Sequence, residues 1–312
     1  MITIVGGQLS FRFPEVHRFA ECGIAFQRTL RIPDDEQTYP LPPGFGRFPL
    51  RHLDDFADRL PRESIRRGGV VMPIHQAEAL WIKFEDRLGS PYPCAIKIAT
   101  GKVCAISGEP WQEGLTRDPQ NYVVVPGQPW LDGYCVAKGT VRQFVAMPLG
   151  DGHTVEEQLT GQGIYGGLQI AVYPMKREIH ERLRLPEPCL VVREEGSRWR
   201  GMGLAAGGRM SQEIYEDEFG LDAWDQDHGG RCFVTMADSQ QWMAITGERP
   251  PTQAPTVREY AKAGLPWFLH YDRDREALAG AERLAGLRSL AETVGGGEAM
   301  SAHEEGTKRG KP

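Results

Sequence analysis

The chain predicts an α+β protein, mainly antiparallel β-sheet with helices concentrated toward its carboxyl-terminal end. Three observations carry that expectation. Between Tyr122 and Tyr173, apolar runs rich in β-branched and aromatic residues (122–125, 140–147 and 167–173) alternate with glycine- and proline-containing turns, which is how small antiparallel sheets are written. Residues 94–99 and 103–106 flank Thr100, Gly101 and Lys102, the sequence of a tight hairpin. Leu278, Ala281, Leu284, Leu287 and Leu290 recur at helical spacing, so residues 276–294 predict an amphipathic helix.

Taken in order, residues 2–5 and 24–31 read as strands. Residues 39–46 carry three prolines and so cannot form a helix or a central strand; they predict an extended coil lying over the sheet. Leu53, Phe56 and Leu60 give 52–60 a helical spacing, and 79–85 alternate loosely as a strand. Residues 176–185 are highly charged and precede Pro186, predicting an exposed helix. Residues 201–208 are glycine-rich, 210–215 fit strand or helix, 231–236 a buried strand, and 239–245 and 256–263 helices. The chain therefore divides into a β-rich domain (1–175), a charged connecting segment (176–200), a mixed α+β region with the amphipathic helix (201–294) and a disordered tail (295–312).

At 312 residues the chain can bury a substantial core. Its formal charge of −6 argues against general nucleic-acid binding, which needs a basic face for phosphates. No apolar run approaches the roughly 18–20 residues of a membrane-spanning helix, and the opening residues lack the pattern of a secretory signal. The expectation is a soluble, cytoplasmic protein. Cys22, Cys94, Cys104, Cys135, Cys189 and Cys232 are scattered with no C-x-x-C pair, so they predict free, mostly buried thiols in place of a zinc or thioredoxin-type site.

Several constellations are candidates for chemistry. Gly161-Gln-Gly-Ile-Tyr-Gly166 matches the letters of the dinucleotide fingerprint. That fingerprint needs a buried strand before it and a helix after it. Here a polar stretch with two carboxylates precedes and a strand-like run follows, so a turn is expected. No nucleophile elbow G-x-S-x-G and no H-E-x-x-H is present. His153 sits beside Asp151, yet triads assemble from distant residues, so the sequence does not exclude one.

Trp130, Asp132, Arg142 and Gln143 form the binding candidate: an apolar ring, an acceptor, a donor fork and a mixed amide. Trp111 is a further possible wall of such a pocket, and Arg209, flanked by glycines, a possible anion ligand. The simpler reading makes Trp130 an anchor for its loop and pairs Asp132 with Arg142. Asp225, Asp227 and His228 could hold a metal, although the full calcium-loop pattern is absent and an acidic surface loop fits as well. His270, Asp272 and Asp274 form a similar cluster.

The motifs RQFVAMPLG (142–150), QPWLDG (128–133), AAGGRM (205–210) and AGLPWF (263–268) resemble a family of uncharacterised bacterial and fungal proteins. The likeness covers most of 28–290. That family has no established activity, so the resemblance implies no functional residue. Members often carry an integral-membrane label, which the hydropathy here argues against. The reading is thus a cytosolic, non-catalytic binding or assembly protein for an unknown small molecule or protein, with the last helix a possible homo-oligomer element. The alternative is a metal-assisted hydrolase using Asp225, Asp227 and His228. Whether the chain is an enzyme, and with what cofactor, is unknown from sequence.

Overall fold

Alternating and fully apolar runs pair with one another across long sequence separations. The computed structural model describes residues 1–35, 37–60, 62–85, 92–183, 202–252 and 276–294. The strands are β1 (Ile2–Val5), β2 (Gln8–Arg12), β3 (Glu21–Thr29), β4 (Thr38–Tyr39), β5 (Gly44–Arg47), β6 (Arg51–His52), β7 (Val70–Pro73), β8 (Ala79–Glu85) and β9 (Cys94–Thr100). They continue as β10 (Val103–Cys104), β11 (Val123–Val125), β12 (Trp130–Leu131), β13 (Gly133–Ala137), β14 (Thr140–Pro148), β15 (Leu168–Pro174), β16 (Met202–Ser211) and β17 (Gly230–Ala237). The helices are α1 (Arg62–Arg67), α2 (Val155–Thr160), α3 (Arg177–Leu183), α4 (Ser239–Thr246), α5 (Glu282–Ala285) and α6 (Leu290–Val294). The protein is α+β and mostly antiparallel sheet, as the sequence predicts.

Hydrogen-bonded neighbours run β1–β2–β3–β8–β14–β16–β17–β15–β9–β11, with β10 also on β9. Two pairings are parallel, β16 with β4 and β17 with β7. β9 and β15 are buried at every position, which is why both read as largely apolar runs, interrupted by Lys97 and Gln169. The main core gathers Phe11, Phe26, Ile98, Tyr122, Phe144, Ile170, Leu204 and Trp224 from strands and loops along the chain. Among the described residues, no helix is long and apolar enough to cross a membrane.

Residues 202–208 of the glycine-rich run are part of β16, because its glycines admit close neighbours. A Cβ on Gly208 would lie 2.2 Å from the Pro33 carbonyl oxygen, and one on Gly207 2.6 Å from Val145. The predicted helix over 276–294 is broken into the short α5 and α6. Gly280 takes a φ of +90° where a Cβ would strike the Ala137 backbone. The Leu278 and Ala281 amides bond the carbonyls of Ile214 and Cys135 in place of a helical turn. Leu284, Leu287 and Leu290 are still buried, so the apolar stripe is real while its continuous helix is not. Residues 52–60 coil as a 3-10 turn over Asp54–Arg59. The helix expected at 256–263 and the tail at 295–312 lie outside the described residues.

Candidate functional site

β14 and β16 pair in a register that sets Arg142 directly opposite Arg209. Like charges facing across a strand pair are unfavourable unless something anionic compensates. The register then slips between Arg142 and Phe144, where Gly208 lets the crossing 30–34 segment approach. Gln143 holds that segment: its amide nitrogen donates to the Leu30 carbonyl at 2.7 Å, and its oxygen accepts from the Ile32 amide at 3.0 Å. Asp34 is thereby carried toward Arg142.

Arg142 is 7% exposed. Its guanidinium donates one hydrogen bond, Nη1 to the Gly207 carbonyl at 3.3 Å. The nearest carboxylates, Asp34 and Glu292, stand 3.8 Å away, beyond hydrogen-bonding range. Both are committed elsewhere. Asp34 accepts the Ala291 amide at 2.8 Å. Glu292 accepts the Ser289 amide while Ser289 Oγ accepts the Glu292 amide, a reciprocal cap at the start of α6. Burial pulls the Arg142 guanidinium below its ordinary value, Glu292 and Asp34 pull it up, and Arg209 pulls it down. The Arg31 guanidinium is also lowered by burial, with Asp34 opposing.

The Trp130 half of the predicted site is built differently. Asp132 is fully buried and gives one carboxylate oxygen to the Trp130 indole at 2.8 Å, in place of Arg142, while its Oδ1 has no hydrogen-bond partner. Burial pushes its carboxyl up to about 8, the Trp130 hydrogen bond acting the other way. Gln212 clasps the loop by accepting the Asp132 amide and donating to the Trp130 carbonyl, and the Trp130 ring meets Trp81 edge-on. Trp111 lies elsewhere, under the ammonium of Lys97 at 5.0 Å. Lys97, buried inside β9, donates to the Gln112 and Gly114 carbonyls.

Asp225 accepts the amides of Asp227 and His228 and meets the His228 ring at 3.0 Å. This raises the His228 pKa, through the hydrogen bond first and the charge second. Among the described residues, no group of three or more His, Cys, Asp or Glu side chains is placed to hold a metal. His270, Asp272 and Asp274 lie outside the described residues.

The glycine-rich 161–166 loop is explained by a carboxylate from its own chain. Glu156, buried on α2, accepts the amides of Ile164, Tyr165 and Gly166. The loop's inward amides are spent on that internal anion, so the fingerprint letters do not make a phosphate cradle.

A constellation that sequence reading did not find joins residues far apart in the chain. β7 and β17 are parallel and end together at Pro73 and Ala237. Two residues beyond each end, His75 Nδ1 and Ser239 Oγ stand 2.8 Å apart, and His75 Nε2 is 2.8 Å from the Pro251 carbonyl. Glu78, which is buried, accepts the His75 amide and two bonds from Arg28.

A mostly antiparallel α+β scaffold with a largely buried arginine facing a second one defines the protein only as a class. No protein-family model, no curated protein and no solved structure matches this chain.

Proposed function

We propose that the chain is a binding protein whose ligand is a small anion, a carboxylate or phosphate, taken up between Arg142 and Arg209. The observation that carries this is the guanidinium of Arg142, on a largely buried side chain and facing Arg209, which makes one hydrogen bond, to the Gly207 carbonyl. A planar fork of five donors is built for bidentate anion recognition, and one of the five is spent on the Gly207 carbonyl. The facing Arg209 adds positive charge at the same register. Asp34 and Glu292 stand 3.8 Å from the Arg142 guanidinium, a spacing that supports their giving way to an anion in direct contact.

A reducing, cytoplasmic setting is part of the proposal. It is supported by Cys22, Cys94, Cys104, Cys135 and Cys232 all being buried free thiols.

Thermal unfolding in pyrophosphate or citrate, against sodium chloride at equal ionic strength, tests the reading. Ligands of the native state raise the midpoint with concentration. The wild type is expected to gain stability in the multivalent anions, and Arg209→Gln to lose most of that gain. Equal midpoints in all salts would reject the proposal.

A further inference from the structure

We propose that Ser239 and His75 form an acyl-transfer pair on carboxylic esters, with Ser239 Oγ the nucleophile and His75 the general base. The inference is independent of the arginine pair. A nucleophile within hydrogen-bond reach of a base, with the base oriented by a third group, is the arrangement such chemistry requires.

All three parts are in place. Ser239 Oγ lies 2.8 Å from His75 Nδ1. A carbonyl oxygen only accepts, so the Pro251 contact at 2.8 Å makes Nε2 the N–H position of the neutral ring. Nδ1 is then left as the acceptor for the serine hydroxyl. The imidazole is thus held in the tautomer a general base needs, with a backbone carbonyl where a carboxylate stands in the familiar triads.

The surroundings fix the geometry. Asp238 accepts the Gln240 and Gln241 amides and caps α4, while Trp242 anchors that helix among Leu53, Val71 and Ala237. On the other side, Glu78 bonds the His75 amide and Arg28, and Arg28 bonds the Thr252 carbonyl, one residue past the carbonyl that orients His75. The turn between them contains Ala77 at φ +62°, the one non-glycine residue with positive φ among those described. Such strain persists where surrounding structure over-determines it, often beside a reacting site. Both Ser239 and His75 are part-exposed.

The reaction balances without a cofactor. Ser239 Oγ bonds to the ester carbonyl carbon as its proton passes to His75 Nδ1. The tetrahedral adduct collapses, the C–O bond to the alcohol breaks, and the alcohol leaves with the proton from His75. Water then attacks the acyl-serine, its proton going to His75 and on to Ser239 Oγ as the acid departs. The sum is ester plus water giving acid plus alcohol.

Labelling of the whole chain with a fluorophosphonate, read by peptide mass spectrometry, and turnover of p-nitrophenyl acetate test the pair. The expected result is one adduct, on Ser239, and a loss of turnover of about 100-fold in Ser239→Ala and in His75→Gln. Thermal midpoints check that each variant folds. If Ser239→Ala unfolds, Ser239→Cys serves instead, its thiol alkylated by iodoacetamide faster with His75 present than with His75→Gln; if His75→Gln unfolds, His75→Asn replaces it in both comparisons. Absence of a Ser239 adduct, turnover in Ser239→Ala equal to wild type, or alkylation indifferent to His75 would overturn the assignment.

Discussion

Asp132 shows how one side chain ties this fold to pH. Burial lifts its carboxyl from the ordinary 3.8 to about 8. Between those values the unfolded chain has released a proton that the folded chain keeps. Folding stability therefore falls as pH rises from about 4 to about 8, by at most about 1.4 kcal/mol per pH unit, and levels off above. Asp132→Asn has no proton to lose, so urea unfolding should show that slope reduced between pH 5 and pH 8. An unchanged slope would mean that the carboxyl titrates normally. The sequence marked Trp130 and Asp132 as partners in a site. Their direct bond was not legible, because it depends on how Gln212, 80 residues away, folds the loop between β12 and β13.

At the scale of elements, α2 is a short helix that organises the loops on both its sides. Thr154 and Glu157 form a capping box, and the Glu157 carboxylate also gathers the Gly150 and Gly152 amides. Burial alone would raise the Glu157 carboxyl; its hydrogen bonds from Thr154, Gly152 and Gly150 outweigh that and leave it low. Glu156 does the same for Ile164, Tyr165 and Gly166. Glu156→Gln keeps the shape but turns an amide NH2 toward donors, and is expected to cost about 2–4 kcal/mol, with faster amide exchange confined to 161–166. Exchange unchanged there would show that the glycines alone hold the turn. The two carboxylates were visible in sequence as a polar stretch that spoils a nucleotide fingerprint. Their positive role was not, since it needs the helix to place them. The same limit applies to α5 and α6: leucine spacing reports burial of Leu284, Leu287 and Leu290, but cannot see the strand-edge amide bonds that interrupt the helix.

Across the whole molecule, local pattern and long-range pairing divide what was readable. Strands such as β8, β9, β14 and β17 follow from residue type and alternation within a few positions, and the antiparallel, mostly β character follows from them. The functional juxtapositions come from register. Arg142 faces Arg209 only because β14 and β16 pair, and His75 meets Ser239 across 164 residues only because β7 and β17 run parallel and stop together. Arg142 and Arg209 were each legible as candidates, being arginines among glycines and aromatic residues. Their facing each other was not. Glu292, which compensates them while capping α6, gave no signal as a site residue.

The central claim is that this guanidinium pair is an anion site partly neutralised by the chain's own carboxylates. Calorimetric titration of pyrophosphate into wild type, Glu292→Gln and Arg142→Lys tests it most directly. Glutamine can still cap α6 but no longer competes as a charge, so Glu292→Gln should bind more tightly than wild type. Lysine cannot offer the planar fork, so Arg142→Lys should bind about 10-fold or more weakly. Indistinguishable affinities in the three proteins, or no binding in any, would contradict the account.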